Sequence, residues 1–458
     1  MRPVPLPPLW MALVILAMGS LPATAAVIGD ERVVTAPLTR DQAAAMPIEQ
    51  LVARGRALFS AKFSSLDGAG RPAATGAIVP TVAEPGVLPR FFRTAGADSN
   101  ACRGCHNDPV AGGAGEFVAN AFVSEGFQDA DFDTVDAQFS NERGTPALHG
   151  SGLVELLARE MTGELRAQRL DGAQQARRSG QPVTIPLKAK GVSFGSLTIA
   201  PDGFVDFSEL EGIDQDLIVR PFSQKGVFTS LRQFTVNALN AHHGMQATER
   251  FGPRYTDSED FDKDGVVREM SEGDVTALVA FQATLPPPKA SSGDGLALLK
   301  DLGCATCHIP TLPLDSTRFS EPNPFNPAGN LRGAETEPVI IDLVTAGLER
   351  DAEGRVLVAL FSDLKRHRIA DDERPHYANE LLSQRFVSRD VFLTARLWGV
   401  GSTAPYGHRG DLTTLHEAII HHGAEATDSR RAYEALGEQD RRRVIGYLQS
   451  LRLGGGLP

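Results

Sequence analysis

The apolar positions of this chain change period several times, and the changes divide it into blocks. Residues 9–21 form a short apolar run behind a single Arg2 and ahead of Ala23-Thr24-Ala25-Ala26. That layout predicts a secretory signal peptide cut after about Ala25, because the run is shorter than the roughly 20 apolar residues a membrane span needs. Across 41–63, Ile48, Leu51, Val52, Ala57, Leu58 and Phe59 recur at helical spacing. The stretch 64–100 is rich in Gly, Pro and Ala and reads as a long surface loop. Helical spacing returns over 153–170. Between Pro182 and Pro221 the runs 183–187, 192–199, 204–207 and 217–219 are β-branched or aromatic and split by Gly, Pro and Asp, which predicts a small β meander. Helices are predicted over 231–241 and 274–285 on either side of a polar acidic loop, and Pro286-Pro287-Pro288 stops the second. After that, 296–302 is a short amphipathic helix, 309–338 is Pro- and Asn-rich without a regular pattern, and 413–451 is mostly helical.

Composition narrows the function classes. The chain has 458 residues, and its 42% apolar content suits a globular protein with real cores. A formal charge of −12 leaves no basic stripe for phosphates, so no nucleic-acid partner is expected. No stretch beyond the first is long and apolar enough to span a membrane, so no span is expected after signal cleavage.

All 4 cysteines sit in two copies of one motif, Cys102-Arg103-Gly104-Cys105-His106 and Cys304-Ala305-Thr306-Cys307-His308. Two thiols three positions apart can form thioethers to a haem edge while the following histidine ligates the iron. Two haem c groups are therefore predicted, with His106 and His308 as iron ligands. Zinc is the rival, but the cysteine pairs lie far apart and each carries its own histidine. Exported cysteines used in this way fit a periplasm.

More than the motif repeats. Thr145-Pro146-Ala147-Leu148-His149-Gly150-Ser151-Gly152 aligns with Thr394-Ala395-Arg396-Leu397-Trp398-Gly399-Val400-Gly401. Ser230-Leu231 leads to His242-His243-Gly244 as Thr414-Leu415 leads to His421-His422-Gly423, and 272–285 pairs without a gap with 438–451. Beyond the signal only Met46, Met161, Met245 and Met270 remain, so the second haem has no Met from its own half. A histidine of each repeated pair is then the economical second ligand: His243 for the first haem and His422 for the second. The other member of each pair stays open, as does Met245 at the first haem. A separate signal is Asp260-Phe261-Asp262-Lys263-Asp264-Gly265, alternating carboxylates with Gly sixth, as in calcium loops. Ser271 stands at the twelfth position, where a bidentate Glu is usual, so Asp260, Asp262, Asp264 and Glu269 are the candidate calcium ligands.

The ordered set CHNDP, DFDKDG, CHIP, FSDLKRH, LTARLWGVG and APYGHRGDLTTLHEAIIHHGAEA resembles the di-haem oxidoreductases of peroxidase or thiol-oxidoreductase type, over nearly the whole mature chain. They are similar, more distantly, to bacterial di-haem cytochrome c peroxidases. In those enzymes a PY.H.G motif precedes the sixth ligand of the electron-transfer haem at a fixed spacing, which counted from His408 lands on His422. Where such peroxidases usually present Met, this chain presents His, which lowers a haem potential. The resemblance implies a periplasmic di-haem oxidoreductase passing electrons from a small redox protein or other donor, through two haems, to peroxide or a related oxidant. The alternative is an electron carrier with two six-coordinate haems and no catalysis; oxidation of a partner protein is a third reading. The predicted fold is mainly α: two cytochrome c-like haem domains from an internal duplication, with a small β meander inserted in the first. The boundaries are a signal peptide over 1–25, a first haem domain over 26–285 (β-rich insertion at about 182–221, calcium-type loop over 257–272), a linker over 286–294 and a second haem domain over 295–458.

Overall fold

The computed structural model describes residues 29–82, 99–121, 141–289, 293–345, 347–381 and 383–454. The predicted signal peptide and parts of the predicted 64–100 loop and linker lie outside the described residues. Near the N-terminus, α1 (Arg40–Ala45) starts on a capping box in which Thr39 and Gln42 satisfy each other's backbone N–H groups. Pro47 then restarts the chain as α2 (Ile48–Ser60), whose Leu51, Gly55, Leu58 and Phe59 form one buried face. The first CxxC is a single turn, α3 (Cys102–Cys105), followed by the ribbon β1 (Gly115–Ala121) and β2 (Asn141–Thr145).

The longest element is α4 (Ser151–Ser179), which begins and ends at glycines with positive φ, Gly150 and Gly180. Its first half is core. Its second half carries the antiparallel sheet β3 (Val183–Ala189), β4 (Val192–Ile199) and β5 (Val205–Asp206). Residues 217–219 do not join that sheet: Leu217 adopts φ 57° and closes a turn on Asp214 instead. Then come α5 (Leu231–His243), capped by Ser230, the short α6 (Thr248–Phe251) and α7 (Pro253–Thr256), and α8 (Glu272–Ala283). Almost all of α8 is buried, which is why it shows no polar face.

In the second half, α9 (Asp294–Asp301) leads to Cys304. Four strands follow, β6 (Leu312–Leu314), β7 (Arg318–Glu321), β8 (Val339–Asp342) and β9 (Val356–Val358), paired as β6 with β9 and β7 with β8. The pair β10 (Arg366–Arg368) and β11 (Val391–Leu393) precedes three helices, α10 (Leu415–Ile420), α11 (Thr427–Glu434) and α12 (Glu438–Ser450).

The expectation of a mainly α fold built as two cytochrome c-like domains does not hold. Strands run through both halves, in five small sheets among the described residues. The Pro- and Asn-rich stretch supplies one strand to each of two of them, β6 and β7. Leu312, Leu314, Phe319, Val339, Ile341, Val356 and Val358 point inward and join the core formed by α2, α4 and α8. A smaller core of Leu299, Phe361, Leu415, Tyr433, Val444 and Tyr447 holds the last helices. Charges lock the strands onto the first half. The wholly buried Arg232 of α5 donates Nε to Glu249 at 2.7 Å and Nη1 to Glu321 of β7 at 2.6 Å. Lys190 meets Glu160 of α4 at 2.7 Å, Glu164 at 3.2 Å and Asp315 at 2.5 Å.

Two helix crossings share one register. A Cβ on Gly55 of α2 would lie 1.9 Å from the Ala277 carbonyl oxygen and 2.8 Å from Phe281 Cβ. A Cβ on Gly295 of α9 would lie 2.7 Å from the Arg443 carbonyl oxygen and 2.3 Å from Tyr447 Cβ. Ala277 and Arg443, and Phe281 and Tyr447, are aligned positions of the repeated closing helix. Only glycine permits backbones this close. What recurs is this crossing beside each CxxCH, while the strands around it do not recur.

Candidate functional site

Each CxxCH follows its crossing. Cys102 is packed by protein on the α3 turn, and burial, with a smaller push from Cys105, raises its thiol to about 12; burial likewise raises Cys304 to about 11. Redox-active CxxC pairs need the opposite shift, toward the thiolate. The cysteines are free of one another.

A haem iron asks its histidine ligand for a neutral ring with Nε2 unprotonated, usually fixed by a hydrogen bond from Nδ1–H. Both motif histidines meet this. His106 Nδ1–H donates to the Pro146 carbonyl at 3.0 Å, and His308 Nδ1–H donates to the Phe361 carbonyl at 3.2 Å. Packing holds both rings neutral: burial brings His106 down to about 4 and lowers His308. An apolar pocket lined by Leu296, Leu299, Cys304, Ala305, Pro310 and Phe361 adjoins His308.

The second histidines are arranged differently at the two motifs. In the first half, His242 and His243 are the last residues of α5, capped by Gly244 with φ 65°. In the second, α10 ends at Ile420, so His421 and His422 lie beyond the last turn. His422 Nδ1–H donates to the Ala418 carbonyl at 2.7 Å, which again leaves Nε2 available. Burial first, then the charge of His308, brings His422 down to about 4. His243 donates Nδ1–H to the Ser99 carbonyl at 2.5 Å, and its Nε2 lies 3.6 Å from Cys102 Sγ. Its partner His242 is near enough to His106 to lower it electrostatically. Both members of the first pair therefore stand at the first motif. Met245 is buried in the core.

The acidic residues also converge: carboxylate oxygens of Asp260, Asp262 and Asp264 lie within 4.8 Å of one another. Glu269 is buried close by, where burial and the three aspartates raise it well above its ordinary value.

Sequence reading missed two clusters. In one, Arg143 of β2 pairs with the buried Glu380, Lys225 Nζ lies 3.5 Å from its Oε2, and His408 Nε2 lies 3.4 Å from its Oε1. Burial, then Arg143 and Lys225, depresses His408 to about 2, so the ring is neutral. These four come from distant parts of the chain, and only His408 had a motif to mark it. In the other, His367 bridges Asp363 and Glu425 at 2.7 Å each, beside Cys307. Asp363 and His367 belong to FSDLKRH and Glu425 to HHGAEA, so the signal lay in two quoted motifs whose contact only folding reveals. Trp398 packs against Gly150, linking the two aligned turns.

No protein-family model matches the chain, and no curated protein matches it. Among solved structures, it is similar to Kuenenia stuttgartiensis hydrazine synthase, studied pressurised with xenon, at 13% identity and a TM-score of 0.34, over 91% of this chain and 95% of that one. A likeness this distant carries no argument about function.

Proposed function

We propose that the chain is a periplasmic di-haem c oxidoreductase that passes electrons between two covalently held haems, toward peroxide or a related oxidant. The observation that carries this reading is the pair of CxxCH histidines, each neutral and each with Nδ1 bound to a backbone carbonyl. A bound haem supplies reversible one-electron chemistry at iron. The chain's own residues do the rest. Cys102 and Cys105, and Cys304 and Cys307, anchor the two groups; His106 and His308 are oriented by Pro146 and Phe361; the crossings at Gly55 and Gly295 back each motif. His422 is the second ligand at the second site, with its ring held by Ala418. At the first site the second ligand comes from the His242-His243 pair. Export rests on residues 1–25.

A second reading is an electron carrier without catalysis, in which both irons are six-coordinate; the held His422 ring, with its Nε2 available, favours it at the second site, and peroxide chemistry under the first reading then belongs to the first site.

Pyridine-haemochrome assay of the full-length protein tests the proposal: two haems per chain are expected, and one after Cys304→Ala with Cys307→Ala. No covalent haem in the purified protein would overturn it. Electron paramagnetic resonance of oxidised and half-reduced protein separates the two readings, since a high-spin iron at half reduction supports peroxide chemistry and low-spin iron throughout supports the carrier.

A further inference from the structure

We propose that the loop from Asp260 to Glu269 is a divalent-cation site, and that calcium bound there braces the end of α5 that carries His242 and His243. The first part stands on the loop alone. The second part rests on the di-haem reading.

Asp262 decides the matter. Its side chain is 0% exposed, and neither carboxylate oxygen has a hydrogen-bond partner among the described residues. An ionised carboxylate is not left buried without compensation unless a cation balances it. No ion pair reaches Asp260, Asp262, Asp264 or Glu269 among the described residues, and the loop's own Lys263 and Arg268 are exposed. Carboxylate oxygens of Asp260 and Asp264 lie within 4.8 Å of its own, so the three converge on one point. Oxygen-only donors of this number and charge suit a hard cation of the calcium class.

The loop geometry fits. Asp260 accepts from the Asp264 and Gly265 N–H groups at 3.2 and 3.1 Å, Asp264 accepts from Val266 N–H at 2.7 Å, and Gly265 takes φ 90° at the sixth position. Ser271, at the twelfth position, is already committed. It caps α8, accepting from Asp274 N–H at 3.2 Å and donating to Asp274 Oδ2 at 2.8 Å. Glu269 is the carboxylate left to face the three aspartates.

Hydrogen bonds connect the loop, on two sides, to the end of α5. Ala73 N–H donates to the Asp262 carbonyl at 2.8 Å, and Gly70 N–H donates to the Gly244 carbonyl at 3.4 Å. On the other side Glu269 Oε2 accepts from Gln246 N–H at 2.6 Å. Gly244 caps α5 directly after His243, so a cation that fixes Glu269 and Asp262 also fixes the cap. Without it, the repelling carboxylates loosen the segment that orients the histidine pair.

The test uses full-length protein stripped with chelator and titrated with calcium chloride, with magnesium chloride in a parallel series. Melting temperature and the visible haem spectrum are read together. Calcium is expected to raise the melting temperature and to shift the haem spectrum. Asp262→Asn should weaken the apparent calcium affinity at least about tenfold by removing one ligand charge, and Asp264→Asn is the second variant should the first not fold. A melting temperature that calcium leaves unmoved, or moves equally in the variants, overturns the site. A calcium-dependent melting shift with an unchanged haem spectrum overturns the bracing. Absence of haem in the same preparation sinks the di-haem reading instead, and the melting titration still decides the cation site.

Discussion

Removing the guanidinium of Arg232 should expose how much of the fold rests on one buried charge. In the native chain that group lies between Glu249 and Glu321, both buried, and also donates to Thr276 Oγ1 at 3.0 Å and the Glu272 carbonyl at 2.9 Å. Arg232→Leu keeps apolar bulk but leaves two buried carboxylates without their cation. Breaking a buried pair from one side costs about 3–5 kcal/mol. At roughly 1 °C per kcal/mol, which the unfolding entropy of a chain this long implies, the melting temperature should fall by about 3–5 °C. The loss has a pH signature. Burial raises Glu321 to about 7 even though Arg232 attracts it downward. A carboxyl whose folded value is raised is tolerated below about 4.5, its unfolded value, and costs more as pH climbs toward the folded value. Loss of Arg232 raises that folded value further, so the deficit should grow from pH 5 to pH 8. Calorimetry across that range measures it. A deficit under about 1 kcal/mol, or one flat with pH, would refute the argument that the triad is ionised and mutually dependent. Replacing Glu249 and Glu321 by Leu as well should recover most of the loss, because an apolar triad leaves no charge stranded.

Other substitutions probe other parts of the molecule. Gly55→Ala forces α2 off the Ala277 carbonyl and should destabilise by about 1–3 kcal/mol, whereas Gly163→Ala, in open space on α4, should stabilise by about 0.5–1 kcal/mol in urea denaturation. Hydrogen bonds from Thr413 and Thr414 depress Glu417 to about 2. Its contribution is therefore present above pH 4.5 and lost as pH falls toward 2, so the melting difference between the native chain and Glu417→Gln should vanish at the acid end. Lys190 is raised: burial alone would lower it, but Asp315, Glu160 and Glu164 outweigh that. Lys190→Met should then cost most below pH 10.5, with the gap closing in more alkaline solution. His422→Gly should convert a low-spin iron signal at the second site to high spin, and an unchanged spectrum would mean that another group fills that position.

What was legible in the sequence is local pattern. Two CxxCH motifs need no tertiary information, and the alignment of the two closing helices places Ala277 with Arg443 and Phe281 with Tyr447, the positions that meet Gly55 and Gly295. Pairing between distant segments was not legible. Strands of three or four residues such as β6 and β7 are too short to show alternation, and their partners lie many residues away. In the far half of α4, Gly172 and Ala176 face a sheet, and small residues there leave no apolar period. Glu380 has no sequence signal at all, because its partners Arg143, Lys225 and His408 are brought to it only by folding.

Because β6 to β9 complete the core that surrounds α4 and α8, that core cannot close until residue 358 has been made. A chain assembled from its N-terminus therefore carries Cys102 and Cys105 in an unfinished shell while the second motif is still being synthesised. Those two thiols are therefore reachable before folding shuts the interior, and the late strands set how long that interval lasts.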